Sequence, residues 1–395
     1  MIKTIRRFPF GAVTVPPSKS IMHRAIICDA LAGGRDFPQG VSEDIDATAR
    51  CVLALVSGER NVTLDCGESG ATLRFLLPVA AALGGKRTAV FRGRGRLLRR
   101  PMAPYLDELR RHGTVIAEKK DSIVVKGRLS AGLYELPGDI SSQFVTGLLF
   151  ALPLLDGDSE VRLTSPLESA GYVDLTIDEL LRSGVEIRRG RGTFLSVGGQ
   201  RYRRREVSAE GDFSQAAFFL VAGALGRDVE CRGLNLSSKQ GDKEILDILK
   251  RCGVRVVLTS KGGLKAKPAS PRPLDIDASD IPDLVPPVAA LLCFARGVSR
   301  IYNAGRLRHK ESDRLETVKE ALGALGARVV ADGDALVING SEWLDGGEVD
   351  SGGDHRIAMM AATAAVRCHG VVKVDGAECV AKSYPNFWDD FEVRE

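Results

Sequence analysis

The amino-acid sequence predicts a two-domain α/β protein built from six similar units, three in each domain. Three observations support this prediction. The chain has 395 residues, more than one ordinary hydrophobic core accommodates. A short polar cluster followed by an apolar helix recurs along the whole chain. Between its copies, a helix end followed by glycine and two short strand-like runs also recurs.

The apolar helices are the first repeated element. From the second copy on they begin near residues 68, 141, 214, 283 and 354, a spacing of roughly 70 residues. Apolar residues surround these helices almost completely, which is typical of buried helices. Their first residues include Ser, Asp, Glu and Gln, which suit helix N-caps. Helix N-termini also offer N–H groups to anions, so capping and anion binding both stay open at each copy.

The second repeated element predicts where helices stop and strands begin. It occurs as LDELRRHGTVIAEKKDSIVV and in three related stretches farther along the chain. In each copy, glycine suits the left-handed residue that ends a helix. The β-branched run that follows predicts a strand, and the next short run predicts its hairpin partner.

Composition excludes several classes of protein. With 55 basic and 51 acidic residues, the net charge of +4 is too balanced for a nucleic-acid-binding surface. The eight cysteines form no CxxC pair and no zinc spacing, which predicts reduced, mostly buried thiols and no metal. The start of the chain lacks a signal-peptide pattern, and no apolar run is long enough to cross a membrane. We therefore expect a cytoplasmic protein.

Several helix starts in the first half carry small polar residues, in two cases together with cations. PPSKSIMHRA, GESGATLRF and GDISSQF each place such residues at a predicted helix N-terminus, where phosphate oxygens bind well. Capped helices with solvated cations are the alternative. The candidate site residues of these segments are Lys19, Ser20, Arg24, Gly70, Ser141, Ser142 and Gln143.

Two arginine-rich segments follow different expectations. In FRGRGRLLRRPM we expect Arg92, Arg94 and Arg99 to be solvated, although such a loop could close over a phosphate. RYRRRE, at residues 201–206, has no glycine and no polar partners, and we expect a solvated face there.

The second half carries candidate acid and base groups. Asp283 precedes an apolar helix and suits either a cap or a general base. RLRHKESDRLE holds Lys310, Glu311 and Arg314, and a surface helix laced with salt bridges is the alternative interpretation. DHRIAMM, CVAKSYPNF and ESAGYVD are weaker signals by themselves.

In chain order, the motifs SKSxxxR, ESGxTLRF, GxGRLLRRPM, GDxSSQF, PD, KESDR, DHR and AKSYPNF resemble those of the 5-enolpyruvylshikimate-3-phosphate synthase family. The resemblance runs from residue 15 to about residue 390. It implies a two-domain inside-out α/β barrel, with three βαβαββ-type repeats per domain. The implied domains are 16–210, and 1–15 plus 211–395, with the active site in the cleft between them. It further implies a monomer that needs no metal or organic cofactor.

The family reaction transfers the carboxyvinyl group of phosphoenolpyruvate to the 5-hydroxyl of shikimate 3-phosphate and releases phosphate through a tetrahedral intermediate. Holding two phosphates and two carboxylates close together requires many cations, which agrees with the motifs. We therefore expect these two small molecules as partners, and neither nucleic acid nor a membrane.

The resemblance also implies roles for individual residues. Asp283, helped by Lys310, would be the base, Glu311 the acid, and Lys19 would lie between the substrates. For shikimate 3-phosphate it implies the residues Lys19, Ser20, Arg24, Ser141, Ser142, Gln143, Ser169, Tyr172, Asp283 and Lys310. For phosphoenolpyruvate it implies the residues Lys19, Gly70, Arg96, Gln143, Arg314, Arg356 and Lys382.

Three positions depart from the family pattern: Glu68 and Arg306 stand where Asn is common, and Ala71 where Thr is common. They leave sensitivity to glyphosate, the family's inhibitor, undecided. The sister transferase that acts on UDP-N-acetylglucosamine is one alternative, but Ser20 and Arg24 favour shikimate 3-phosphate. A non-catalytic phosphate- or nucleic-acid-binding repeat protein is another, and the carboxylates Asp283 and Glu311 argue against it.

Overall fold

The computed structural model describes residues 1–6, 8 and 10–392. The chain forms two compact units, one of residues 19–209 and one of residues 1–18 and 210–395. The sequence analysis placed its division after residues 15 and 210, whereas the compact units divide after residues 18 and 209.

Helices and strands alternate along the described residues. The helices are α1 Lys19–Leu31, α2 Glu43–Val56, α3 Gly70–Ala82, α4 Ala103–Arg111, α5 Ser142–Ala151, α6 Ala170–Arg182, α7 Phe213–Ala224, α8 Ile245–Arg251, α9 Val285–Leu292, α10 Arg314–Ala324, α11 His355–Ala365 and α12 Phe387–Phe391. The strands are β1 Lys3–Ile5, β2 Gly11–Thr14, β3 Asn61–Asp65, β4 Thr88–Arg92, β5 Thr114–Glu118, β6 Ser122–Gly127, β7 Leu133–Leu136, β8 Ser159–Leu163, β9 Ile187–Arg189, β10 Thr193–Ser196, β11 Val229–Arg232, β12 Val256–Leu258, β13 Leu264–Ala266, β14 Asp275–Asp277, β15 Gly297–Tyr302, β16 Arg328–Asp332, β17 Ala335–Gly340, β18 Gly347–Asp350 and β19 Val372–Asp375.

Four sheets in the described part of the chain share one topology. Each has four strands, in the orders β3-β4-β6-β5, β7-β8-β10-β9, β2-β11-β13-β12 and β14-β15-β17-β16. In every one the first pair is parallel and the other two pairs are antiparallel. A fifth sheet pairs β18 with β19 in parallel and adds β1 antiparallel. The repeated α/β pattern of the sequence thus becomes a repeated sheet, and no sheet closes into a barrel within the described residues.

The glycines predicted to stop helices do so. Gly113, Gly184, Gly253 and Gly326 follow α4, α6, α8 and α10, with φ of 89°, 76°, 84° and 91°. A side chain at this φ would strain the backbone, so glycine lets the chain leave the helix and enter a hairpin.

The apolar helices of the repeat are buried, as predicted. In α3, α5, α7, α9 and α11 nearly every residue has lost its contact with solvent. Each unit has its own core: one is built around α3 and α5, the other around α7, α9 and α11. All eight cysteines are free thiols, six of them buried and Cys368 and Cys379 half-buried.

The solvated face expected for RYRRRE is wrong in part. Tyr202 is 8% exposed, and its hydroxyl donates to the carbonyl of Phe150 at 2.8 Å. Arg204 donates to the buried Asp29 at 2.7 Å, and Arg205 donates to the buried Glu179 at 2.6 Å. Both carboxylates lie far away in sequence, so local composition could not reveal them.

None of the helices in the described part of the chain has the length and apolarity to span a membrane.

The contact between α3 and α5 predicts a stability effect. A Cβ at Gly147 would lie 2.2 Å from the Tyr105 hydroxyl and 2.4 Å from the Arg74 carbonyl oxygen. We expect Gly147→Ala to lower the free energy of unfolding by about 1–3 kcal/mol, because neither helix has room for the methyl group.

Gly323→Ala is the matched control, because it lies in α10 and a Cβ there meets no atom within 4 Å. It should stabilise the protein by about 0.5–1 kcal/mol through helix propensity. Denaturant unfolding of both variants checks the prediction, and equal effects would contradict it.

Candidate functional site

One buried arginine organises the candidate site of the unit formed by residues 1–18 and 210–395. Arg314 is 1% exposed and begins α10. Its Nε donates to Asp354 Oδ2 at 2.7 Å, its Nη1 to Asp283 Oδ1 at 3.0 Å, and its Nη2 to Glu311 Oε2 at 2.8 Å. Burial acts to lower the pKa of Arg314, but the three carboxylates outweigh it and raise the pKa further. Arg314 is therefore a permanent cation that fixes three acidic groups.

Asp283 lies between two arginines. Its Oδ1 accepts from Arg314, and its Oδ2 accepts from Arg356 Nη2 at 3.0 Å. Lys310 Nζ is 3.7 Å from the same carboxylate. Burial acts to raise the pKa of Asp283, but the charges of Arg356, Lys310 and Arg314 outweigh it and hold the pKa well below its ordinary range.

Two lysines complete this cluster. Lys382 Nζ donates to Glu311 Oε1 at 3.1 Å, and Lys382 is 5% exposed. Burial lowers the pKa of Lys310 to about 8, while the neighbouring Asp283 raises it and Arg314 lowers it. Four cations thus face the three carboxylates and leave one net positive charge, which suits an anionic ligand.

Helix caps hold the cluster in place. Asp354 is the N-cap of α11, and its Oδ1 accepts from the backbone N–H of Arg356 at 3.0 Å. Asp212 caps α7, and the Ser214 that follows it accepts from Arg356 Nη2 at 3.1 Å. The sequence analysis did not single out Asp354 as a site residue, although its place before His355 and Arg356 marks it as a cap.

The second candidate site lies at the start of α3 in the unit of residues 19–209. Gly70 is the first residue of that helix and is capped by Ser69. A Cβ at Gly70 would lie 2.9 Å from Arg100 Nη1, 3.4 Å from Arg74 Nη1 and 3.5 Å from Gln143 Oε1. Arg74 Nη1 donates to Gln143 Oε1 at 2.8 Å. Two guanidinium groups therefore meet free helix N–H groups, which is an arrangement suited to phosphate.

The structure places Arg100, which the sequence analysis did not single out, against Gly70. Arg100 is 8% exposed, whereas Arg96, Arg92, Arg94 and Arg99 are exposed. Arg100 directly precedes Pro101 at the end of a short 3-10 turn, Leu97–Arg99. Proline restricts the residue before it to extended backbone, and this signal distinguishes Arg100 within the loop. Arg74 lies four residues after Gly70 on the same helix, so the sequence spacing already indicated that both residues share one face of α3.

Arg24 contacts two of the other predicted residues, Ser20 and Tyr172. It is 3% exposed; its Nη1 donates to the carbonyl of Ser20, its Nη2 donates to the carbonyl of Tyr172 at 2.8 Å, and its Nε donates to Thr176 Oγ1 at 2.8 Å. Burial lowers the pKa of Arg24 to about 10, so it is charged at neutral pH. Arg24 thus fixes the start of α1 against α6.

The predicted serines lie at the starts of α5 and α6. Ser141 caps α5 and accepts from the N–H of Gln143 at 3.3 Å, and Ser142 is buried beside it. Ser169 precedes α6 in the left-handed conformation, with φ of 55°. Such a backbone costs a non-glycine residue about 1–3 kcal/mol, and strain of this kind concentrates at functional sites.

Lys19 has a buried acidic partner that the sequence analysis missed. Its Nζ donates to Asp44 Oδ2 at 2.8 Å, and both side chains are largely buried. Asp44 lies in the first turn of α2, where a carboxylate also suits the helix dipole.

The departures from the family pattern have distinct places. The carboxylate of Glu68 lies against Gly95 in the arginine loop, which is formed by residues 91–102. A Cβ on Gly95 would come within 2.4 Å of Glu68 Oε1. Arg306 donates to the carbonyl of Ser279, near Asp283 in sequence. Ala71 is half-buried in the first turn of α3.

These features describe a protein of two compact α/β units, each with buried cations suited to anionic ligands, and comparison with known proteins gives its family. A family model described as EPSP synthase (3-phosphoshikimate 1-carboxyvinyltransferase) matches residues 9–391. The chain belongs to this family, which confirms the resemblance seen in its motifs.

Relatives and solved structures support this membership. The chain is 43% identical to a 3-phosphoshikimate 1-carboxyvinyltransferase of Clostridium acetobutylicum, covering 97% of this chain and 94% of that one. It is 44% identical to the enzyme of that name from Clostridium kluyveri, with 96% and 94% covered. The structure of EPSP synthase from Acinetobacter baumannii matches with a TM-score of 0.77 and 25% identity, over 98% of this chain and 97% of that one. The enolpyruvyl transferase NikO from Streptomyces tendae shares the fold, with a TM-score of 0.75, 18% identity and coverage of 99% and 96%.

The Arg314 cluster predicts a stability effect. We expect Arg314→Met to lower the free energy of unfolding by about 3–5 kcal/mol, because three carboxylates lose their shared buried cation. Arg308→Met is the control: the half-exposed Arg308 pairs with Asp313 at 3.1 Å, and its loss should cost less than about 1 kcal/mol. The denaturant midpoints of the two variants measure these losses of stability, and similar losses in both would contradict the prediction.

Proposed function

We propose that this chain is a 3-phosphoshikimate 1-carboxyvinyltransferase. It would transfer the carboxyvinyl group of phosphoenolpyruvate to the 5-hydroxyl of shikimate 3-phosphate and release phosphate, a step of aromatic amino acid biosynthesis. The observation that carries this proposal is the placement of Asp283 between Arg314 and Arg356, with Glu311 on the same Arg314. A candidate base and a candidate acid are thus attached to the groups proposed to bind a substrate carboxylate.

The cations divide into sets by the anions they suit. Arg314 and Arg356 present planar guanidinium groups, which we assign to the carboxylate of phosphoenolpyruvate. The start of α3, with Gly70, Arg100 and Gln143, and separately Lys382, are assigned to its phosphate. To shikimate 3-phosphate we assign Lys19, Ser20, Arg24, Ser141, Ser142, Gln143, Ser169, Tyr172, Asp283 and Lys310.

Asp283 is a weak base while it pairs with Arg314 and Arg356, because these arginines hold its pKa well below the ordinary range. The carboxylate of phosphoenolpyruvate carries the same charge and shape as the carboxylate of Asp283. When it binds Arg314 and Arg356, it replaces Asp283 as their partner. Asp283 then loses its two guanidinium partners and keeps only Lys310 nearby, so its affinity for a proton rises. The base is thereby activated by the substrate that the reaction requires.

Each proton that moves in the proposed addition and elimination has a donor and an acceptor. The 5-hydroxyl oxygen of shikimate 3-phosphate attacks C2 of phosphoenolpyruvate, and its proton goes to Asp283. Glu311 takes part as its protonated acid and delivers that proton to the methylene carbon, which becomes a methyl group in the tetrahedral intermediate. Glu311 then takes a proton back from the methyl group while the bond from C2 to the phosphate oxygen breaks, and the proton held by Asp283 passes to the departing phosphate, which gives the enol ether and phosphate. Lys382, 3.1 Å from Glu311, balances the charge that Glu311 gains.

The cytoplasmic location and the monomeric state stay predictions. The direct test of the proposal is phosphate release from the purified protein with shikimate 3-phosphate and phosphoenolpyruvate. Release that requires both substrates supports it, and no release with both would refute it.

The acid and base roles predict a specific loss of turnover. We expect Asp283→Asn and Glu311→Gln each to lower kcat by about 10²-fold or more, because each removes a proton-transfer group. Glu316→Gln, on α10 and paired with Lys319, is the control and should keep full turnover. Near-normal turnover in either site variant would remove that residue from the mechanism.

Variants of the arginine loop test whether Arg100 or Arg96 binds the phosphate of phosphoenolpyruvate. We expect Arg100→Gln to raise KM for phosphoenolpyruvate by about 10-fold or more, because a charge-assisted hydrogen bond is worth about 1.5–3 kcal/mol. Arg96→Gln, in the same loop but exposed, should change it less. Steady-state kinetics with shikimate 3-phosphate saturating measures both KM values, and the reverse order would favour Arg96, the residue predicted from the sequence.

Lys310 predicts a pH dependence. Its pKa of about 8 means that its charge is present below this pH and is lost as the pH rises through it. We expect kcat/KM to fall above about pH 8, because a cation that we assign to the binding of shikimate 3-phosphate disappears. A guanidinium group at this position would stay charged, so Lys310→Arg should abolish this fall. An identical fall in that variant would assign the titration to another group.

A further inference from the structure

A chain of buried hydrogen bonds connects α1, α2 and α3 and is not used in the mechanism above. His23 Nδ1 lies 2.7 Å from Thr48 Oγ1, which lies 2.5 Å from Thr72 Oγ1. Thr72 Oγ1 donates to Ser69 Oγ at 2.7 Å. All four residues are at most 4% exposed. The chain therefore ends at the cap of α3, directly before Gly70.

The hydrogens in this chain run in one direction. Thr72 gives its only hydroxyl hydrogen to Ser69, because the carbonyl of Asp44 is farther away at 3.5 Å. Thr72 must then accept the hydrogen of Thr48, and Thr48 must accept one from His23 Nδ1. Burial lowers the pKa of His23 to about 3, so its ring is neutral and carries a single hydrogen.

The direction of these hydrogen bonds leaves the Ser69 hydroxyl as a donor. Ser69 Oγ accepts from Thr72 Oγ1 and from the backbone N–H of Thr72 at 3.2 Å, so both of its lone pairs are used. Its own hydrogen is left to donate, and the structure records no acceptor for it within the described residues. Ser69 lies beside the Gly70 site, where Arg100 and Arg74 already favour an anion.

The chain also fixes the start of α1 against α2. His23 lies one helical turn after Lys19, and Thr48 lies one turn after Asp44. The bond between His23 and Thr48 thus repeats, one turn deeper, the contact between Lys19 and Asp44. A rotation of either helix that broke one contact would disturb the other.

We propose that Thr72, Thr48 and His23 are positioning residues that hold Ser69 as a hydrogen-bond donor to the phosphoryl group of phosphoenolpyruvate at the start of α3. The inference rests on the proposed function, since it names the ligand of that same site. It adds Ser69 to the residues that contact the phosphate and gives the buried threonines a role in substrate binding.

Thr72→Val tests the proposal, because it removes the hydroxyl and keeps both the volume and the N–H that Ser69 caps. We expect KM for phosphoenolpyruvate to rise about 10-fold, the value for one lost charge-assisted hydrogen bond of about 1.4 kcal/mol. KM for shikimate 3-phosphate should change by less than about 2-fold, a difference of under 0.5 kcal/mol. Thr72→Ser restores the hydroxyl and should restore the KM.

Thr363→Val is the matched control. Thr363 is a fully buried threonine of α11 whose hydroxyl donates within its own helix, to the carbonyl of Met359 at 2.9 Å. It should leave both KM values unchanged. Thr48→Val breaks the chain one step farther away, and it supplies the same comparison if Thr72→Val fails to fold.

Turnover by the unaltered protein tests the proposed function separately, because it requires only phosphate release with both substrates. With that turnover present, equal rises of both KM values in the valine variants would overturn the positioning role. Failure of Thr72→Ser to restore KM would overturn it as well. A rise confined to phosphoenolpyruvate, reversed by serine, supports it.

Discussion

The candidate site in the unit of residues 1–18 and 210–395 depends on one buried cation. Arg314 bonds Asp283, Glu311 and Asp354 at once, and Asp354 in turn caps the helix that carries Arg356. The candidate base, the candidate acid and the second arginine are therefore fixed by a single guanidinium group. Burying such a group costs several kcal/mol of desolvation, and only complete pairing offsets this cost. A neutral residue here would leave three buried carboxylates without their shared cation and would orient none of them.

In the unit of residues 19–209, the same function of orientation belongs to helix N-termini. Ser69 and Ser141 are ordinary caps, yet each lies beside residues that suit a phosphate oxygen. Gly70 lacks a side chain at the point where Arg100, Arg74 and Gln143 converge. Capping and anion binding, which the sequence left as alternatives, are compatible here, because a cap uses the serine lone pairs and leaves its hydrogen to donate.

Local features of the fold could be predicted from the sequence, and long-range ones could not. The buried helices and the stops at Gly113 and Gly326 follow from periodicity and backbone preference, which act over a few residues. Arg204 and Arg205 pair with Asp29 and Glu179, which no local pattern connects to them. The burial of Arg100, rather than Arg96, depends on such long-range contacts as well, and the proline after Arg100 was the one local sign that set it apart. Asp354 was visible only as a helix cap, and Asp44 only as an acidic residue in the first turn of α2.

The proposed mechanism depends on the carboxylate of phosphoenolpyruvate replacing Asp283 as the partner of Arg314 and Arg356. The most direct measurement is the Kd of 2-phospholactate, the saturated analogue that cannot react, for the unaltered protein and for Asp283→Asn with shikimate 3-phosphate present. If Asp283 competes for the arginines, its neutral replacement binds the analogue more tightly, by about 10-fold for each 1.4 kcal/mol of competition removed, while turnover is lost. Unchanged or weaker binding by Asp283→Asn would contradict this exchange of partners.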